Sequence, residues 1–144
     1  MKPITVELLD WRDAALRAMP LRERVFVVEQ GVPADMELDE FDAVSRHALA
    51  IAANGEALAT GRLLPDGHIG RMAVDAAWRG RGVGGLVLEA LVAEGWRRGM
   101  TTLVLNAQLS AVEFYRGHGF EAEGEVFMEA GIAHRTMRRS GSGG

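Results

Sequence analysis

No cysteine occurs in this chain. That absence excludes disulfides, thiolate-ligated metal and a thiol nucleophile together, and no metal is expected. It agrees with a cytoplasmic location, which is the expected compartment. No apolar run approaches the roughly 20 residues that span a bilayer. The opening residues, MKPITVELLD, hold no long apolar stretch of the secretory kind, so no membrane partner is expected. Lysine is nearly missing: Lys2 is the only one, and arginine carries the remaining positive charge. Arginine's planar fork suits phosphates, although a composition bias of the source genome explains the preference equally well. The formal net charge is −4, which offers no bulk attraction to nucleic acid.

What is present suits one domain. The 144 residues are 48% hydrophobic, enough for one core. The expected domain covers residues 1–139, and residues 140–144, SGSGG, read as a flexible tail. Ile4 to Leu8 reads as a strand. Trp11 to Met19 and Leu21 to Gln30 read as two short helices broken at Pro20, although Val25-Phe26-Val27-Val28 suits a strand equally. Gly31 to Asp42 reads as an acidic loop. His47 to Ala53 and Glu56 to Leu64 flank Asn54-Gly55, a hairpin signal, and His68 to Val74 follows as a third strand. Val83 to Arg98 is a helix, its Leu88, Leu91, Val92 and Trp96 on one face and Glu89, Glu94, Arg97 and Arg98 on the other. Thr101 to Leu105 reads as a strand buried on both faces. Ser110 to Glu113 matches a capping box opening a helix to His118. Phe120 to Met128 and Ile132 to Arg138 read as a closing hairpin. The order suggests a mixed sheet with helices on its faces.

The segment Arg71 to Gly85, RMAVDAAWRGRGVGG, joins a strand to a helix through glycines. Glycines admit close backbone approach to a ligand, and the free N–H groups of the first helical turn favour phosphate. Gly80-x-Gly82-x-x-Gly85 matches the dinucleotide fingerprint as a bare pattern. That fingerprint wants its first glycine directly after the strand and an acid at the end of the next one. Asp75 to Trp78 intervene before Arg79, and the next strand ends at Asn106. A P-loop is excluded because no Gly-Lys-Ser/Thr follows. A turn that binds nothing remains the plainest alternative.

Arg79-x-x-Gly82-x-Gly84, preceded by Met72-Ala73-Val74 on a strand, resembles the acetyl-CoA pyrophosphate motif of the GNAT N-acetyltransferases. Downstream, Asn106-Ala107-Gln108 and Ala111-Val112-Glu113-Phe114-Tyr115 leading to Gly117-His118-Gly119-Phe120 resemble that family's second signature. Leu21 to Gln30 and Glu129 to His134 are similar to its ElaA-like branch, which makes Leu21 to Gln30 a helix. The resemblance implies an α/β (α+β) fold: a mixed, mostly antiparallel sheet of about seven strands, helices on both faces and a splayed central parallel pair. It implies acetyl transfer from acetyl-CoA, the co-substrate, to a primary amine in a ternary complex. The acceptor would be a small-molecule or peptide amine. A homodimer is a common state in that family, and the oligomeric state stays open. A non-catalytic acyl-CoA-binding module is the alternative.

The resemblance also distributes roles. Backbone N–H groups of Arg79, Gly80, Arg81, Gly82, Val83, Gly84 and Gly85 would cradle the pyrophosphate. Met72, Ala73 and Val74 would pair with the pantetheine, and the Val74 amide would polarise the thioester carbonyl. Asn106 would hydrogen-bond the pantetheine, or it simply ends a strand. Tyr115 would be the general acid, its phenol near-matched to a thiol; the alternative is a core tyrosine. An attacking amine must lose a proton, to Glu29, His47, Glu129 or His134, with Glu29 and His134 preferred. The acids of the loop, among them Asp35, Glu37 and Asp39, would attract a cationic amine, or be a solvated loop.

Overall fold

The computed structural model describes residues 3–37 and 39–141. Seven strands form one sheet: β1 (Thr5–Asp10), β2 (Arg46–Ile51), β3 (Ala57–Leu63), β4 (His68–Val74), β5 (Thr102–Gln108), β6 (Glu121–Glu129) and β7 (Ile132–Ser140). Their spatial order is β1-β2-β3-β4-β5-β7-β6. All neighbours are antiparallel except β4 and β5. That parallel pair is joined by α3 (Val83–Arg97), the strand-helix-strand unit of the sequence reading.

The alternation of side chains across the strands sorts the core into two layers. On one face Leu49, Ile51 and Ala57 pack against Ala14 and Ala18 of α1 (Trp11–Arg22). On the other, Ala48, Ala50 and Leu58 pack against Val87, Leu88, Leu91 and Val92 of α3. α3 comes close because β3 is bare at Gly61, where a Cβ would run into Met72 Sδ and Leu91 Cδ1.

Several local expectations are corrected. Pro20 does not break the first helix; α1 runs through it to Arg22. Proline removes one helical donor, but its acceptor would be the carbonyl of Leu16, on a residue that is 89% exposed, where water replaces the lost bond. From Glu23 to Glu29 the chain then widens into π turns, with Gln30 N–H on the Val25 carbonyl at 3.0 Å. That run holds three valines, which crowd an ordinary α turn. The acidic loop contains α2 (Ala34–Glu37) and a 3-10 turn over Glu40–Val44. Glu94 is not on a solvent face: it is 2% exposed and accepts from Arg97 Nε at 3.0 Å and Arg98 Nε at 2.6 Å. β5 is not buried on both faces; Leu103, Leu105 and Ala107 alternate with less buried neighbours. The capping box does not form, since Ser110 lies inside a 3-10 turn and Ala111 is the residue before α4 (Val112–Arg116), with no side-chain cap.

The closing hairpin turns at Ala130 (φ 50) and Gly131 (φ 76), two left-handed residues as a tight two-residue turn requires. β7 continues to Ser140 and the Gly141 N–H donates to the Thr101 carbonyl at 2.8 Å. The expected tail is therefore shorter, and residues 142–144 lie outside the described ones. Among the described residues no helix is long and apolar enough to cross a membrane.

Candidate active site

β4 and β5 pair at only two positions, His68 with Val104 and Ile69 with Leu105. Past Ile69 the strands separate. The cause lies on β4's other side, where Arg71 and Met72 together oppose the single residue Gly61. Such a bulge bends its strand and increases the local twist. Arg71 takes φ 49 to make it, a conformation costly for a residue with a Cβ. Its guanidinium is fastened to the acidic loop: Nε donates to the Glu37 carbonyl at 3.0 Å, and Nη2 to the Met36 carbonyl at 3.3 Å and Asp39 Oδ2 at 3.1 Å.

The separation opens a cleft of about 800 Å³, within the range of ligand pockets. Met72, Ala73, Val74, Arg79, Leu105, Asn106 and Tyr115 line one part of it. Here the free edge of β4 presents backbone groups that no strand takes up. Phe26, Glu29, Met36, Phe41, Arg71, Glu129 and His134 line another part.

The glycine turn divides its work. Gly80 (φ 76) and Gly82 (φ 80) are left-handed, with open space where a Cβ would stand. Gly84 and Gly85 serve packing: a Cβ would lie 3.1 Å from Val74 Cγ2 at the first and 3.1 Å from the His118 ring at the second. α3 opens at Val83 with no side-chain cap, so its first N–H groups are available to an anion. Arg81 stacks over Trp78 at 5.0 Å. These features fit a pyrophosphate: an uncapped helix start, two left-handed glycines and an arginine beside them. Arg79 does something else. Its Nε donates to the Val74 carbonyl at 3.1 Å, and its two Nη groups grip both oxygens of Glu29.

That grip bears on the acid–base candidates. The Arg79 hydrogen bonds hold the Glu29 carboxyl below its ordinary pKa, which makes it a poor base. His47 is 1% exposed. Its Nε2 donates to the Asp42 carbonyl at 2.9 Å and its ring leans on Trp11, away from the cleft; burial lowers its pKa. His134 is 6% exposed and lines the cleft. Its Nδ1 lies 2.7 Å from the Ile132 carbonyl. A carbonyl only accepts, so Nδ1 carries a proton, and in the neutral ring Nε2 is the acceptor. That Nε2 stands 3.7 Å from Glu129 Oε2. Asn106, on the cleft lining, accepts from the Thr136 hydroxyl at 3.0 Å through Oδ1.

Tyr115, the only tyrosine, lines the cleft and is 8% exposed. Phe114 and Phe120 meet its ring edge-on at 5.0 and 6.2 Å. Burial pushes its phenol up to about 12, because an anion there would lose its water. The near match with a thiol, about 8.5, is thus corrected: full transfer to a relaxed thiolate runs uphill. The buried phenol favours the protonated form, so its contribution to stability is present below about pH 10 and lost as pH rises toward about 12. Tyrosinate absorbance should accordingly titrate near 12 in the native protein and near 10 after unfolding in guanidinium; a native midpoint near 10 would contradict the burial.

Within the acidic loop Glu37, Asp39 and Asp42 are bound by arginines, while Asp35 and Glu40 are exposed. Arg22, 1% exposed, binds Glu37 through Nε and Asp42 through Nη1 at 2.8 Å and Nη2 at 3.1 Å. Arg62 binds Asp39 at 2.7 and 2.8 Å and shares Asp42 at 2.9 Å. Sequence reasoning had no signal for Arg22, Arg62 or Arg71, because nothing periodic links positions this far apart.

The acetyltransferase (GNAT) domain profile matches residues 13–140. The chain is 37% identical to the Bacillus subtilis protein named uncharacterized N-acetyltransferase YjcF, over 85% of this chain and 89% of that one. Among solved structures it resembles an acyl-CoA N-acyltransferase from Pseudomonas aeruginosa, with 32% identity, TM-score 0.84, and 96% and 100% of the two chains covered. Escherichia coli ElaA superposes with TM-score 0.85 at 29% identity, over 94% of this chain and 99% of that one. The chain belongs to the GNAT acetyltransferase family. Its fold is the mixed α/β GNAT fold, and the family's chemistry is acyl transfer from acyl-CoA.

Proposed function

We propose that this protein transfers an acetyl group from acetyl-CoA to a primary amine by direct attack within a ternary complex. The observation that carries the reading is the parting of β4 from β5 after two residue pairs, directly beside the uncapped start of α3. The N–H groups of residues 79–85 hold the pyrophosphate. The free edge of Met72, Ala73 and Val74 takes the pantetheine amides as an added strand would, with the Asn106 amide opposite. The Val74 N–H faces the carbonyl oxygen where charge develops.

The bonds exchange as follows. The amine nitrogen forms a bond to the carbonyl carbon while the carbon–sulfur bond breaks. His134 Nε2 receives the amine proton, directly or through water, and Tyr115 gives its proton to the sulfur. Because the phenol sits near 12, the hydroxyl remains protonated throughout the physiological range. Its transfer is coupled to bond cleavage rather than following it.

The donor half is tested by binding. CoA should raise the melting temperature and NAD should not, since a ligand of the native state stabilises it by mass action. Gly82→Val should weaken acetyl-CoA binding at least tenfold, because a β-branched residue resists φ 80 and fills the space left for the ligand. Calorimetric affinity equal to that of the unsubstituted protein, or a larger shift with NAD, would end the proposal.

A further inference from the structure

We infer that the acceptor is a small monoamine with an apolar alkyl or aryl body, and neither a polyamine nor an amino acid; the inference rests on the acyl-transfer reading just given. The cleft's charges are nearly all spent within the protein. Glu29 is held by Arg79, Glu37 by Arg22, and Asp39 by Arg62 and Arg71. Among the described residues, Glu129 is the one carboxylate lining the cleft without an arginine partner. It stands beside His134, so it can receive one ammonium at the place where a proton must be removed. A second ammonium, as in a polyamine, would enter without a counter-charge and lose its hydration uncompensated.

An acceptor carboxylate fares no better. The arginines that would bind it are already paired with carboxylates: Arg62 with Asp39 and Asp42, and Arg71 with Asp39 and two backbone carbonyls. It would also meet the like charges of Asp39 and Glu129. Part of the remaining wall is apolar, beside Gln30 and Gln108, which hydrogen-bond each other at 2.9 Å. Phe26, Val32 and Ile132 line that part, and Met36 and Phe41 stand 51% and 45% exposed at the same cleft. Large exposed apolar side chains gathered at a pocket mark a contact surface.

The test is free-CoA release with phenethylamine, hexylamine, spermidine, a lysine-bearing peptide and phenylalanine at equal concentration, with acetyl-CoA Kd measured on the same preparation. The expected result is a kcat/KM at least tenfold higher for the first two amines than for the other three. Phe41→Ser should raise the KM for phenethylamine by about tenfold, the usual scale for one apolar pocket contact, with acetyl-CoA Kd unchanged. Faster turnover of spermidine, peptide or phenylalanine overturns the acceptor class and leaves the donor reading standing. So does tight acetyl-CoA binding with no amine consumed, or a Phe41→Ser enzyme with unaltered KM. Failure to bind acetyl-CoA overturns the acyl-transfer reading itself.

Discussion

Tyr115→Phe should lower kcat by about 10²- to 10⁴-fold, the usual scale of acid–base catalysis, while the acetyl-CoA Kd barely moves. The substitution keeps the ring and therefore its edge-on contacts with Phe114 and Phe120. Only the hydroxyl is lost. A proton donated in the transition state and not before shows in kcat and kcat/KM alike, with little change in ground-state binding. The fall corresponds to about 2.7–5.5 kcal/mol of barrier. A tyrosine that merely fills the core predicts the opposite pattern: a lower melting temperature and near-normal turnover per folded molecule. The alkaline limb separates the two further, since a donor with its phenol at about 12 keeps working well above pH 9, and the Phe variant loses that limb. Retention of most of the kcat would remove Tyr115 from the mechanism and leave water as the donor.

Arg22→Leu should destabilise the protein by about 3–5 kcal/mol, the cost of breaking a buried ion pair from one side. Glu37 and Asp42 are 5% and 3% exposed. Asp42 would retain Arg62, but Glu37 would keep only Arg71, 4.0 Å away. Since whole domains are stable by about 5–15 kcal/mol, urea midpoints should drop sharply. Adding Glu37→Met to Arg22→Leu should recover much of the loss, because it removes the stranded charge. Asp35→Asn, at an exposed position of the same loop, should change stability by no more than about 0.5 kcal/mol. The network also has an acid limit. Arg62's hydrogen bonds hold the Asp39 carboxyl below 3.8. A lowered carboxylate contributes stability above its unfolded value that is lost as pH falls through the folded one, so the loop loosens below about pH 4. Equal urea midpoints for Arg22→Leu and the unsubstituted protein would show that the network contributes nothing.

The succession of elements along the chain, the long helix and the glycine turn were readable from residue patterns because each is a local matter. A hairpin needs Asn54-Gly55, and a helix of the length of α3 needs apolar residues three and four apart. The family resemblance rested on two such local signatures at the right separation. What stayed hidden was decided by partners far along the chain. Glu94 looked solvated until its neighbour Arg46 arrived from β2, with Nε at 3.4 Å. Glu37, Asp39 and Asp42 looked free because their arginines lie on α1, β3 and β4. Arg71's left-handed backbone contradicts its own side chain and is bought by Glu37, Met36 and Asp39. The π turns after Pro20 belong to the same class, for their Val25 and Phe26 pack with Ala73 of β4. For the site, glycines and Tyr115 could be named from the sequence. That Glu29 is occupied by Arg79, and that His134 carries its proton on Nδ1, needed coordinates.

The place of β7 has a consequence for the nascent protein. β7 lies between β5 and β6, although it follows both in the chain. During synthesis β6 emerges before its one strand neighbour among the described residues. β5 meanwhile has only the two-residue contact with β4 to hold it. A domain folds as a unit, so the far wall of the cleft waits for β7, the last of these strands in the chain. β5 and β6 gain their shared neighbour, and His134 its place on the cleft wall, only when β7 lies between its two predecessors.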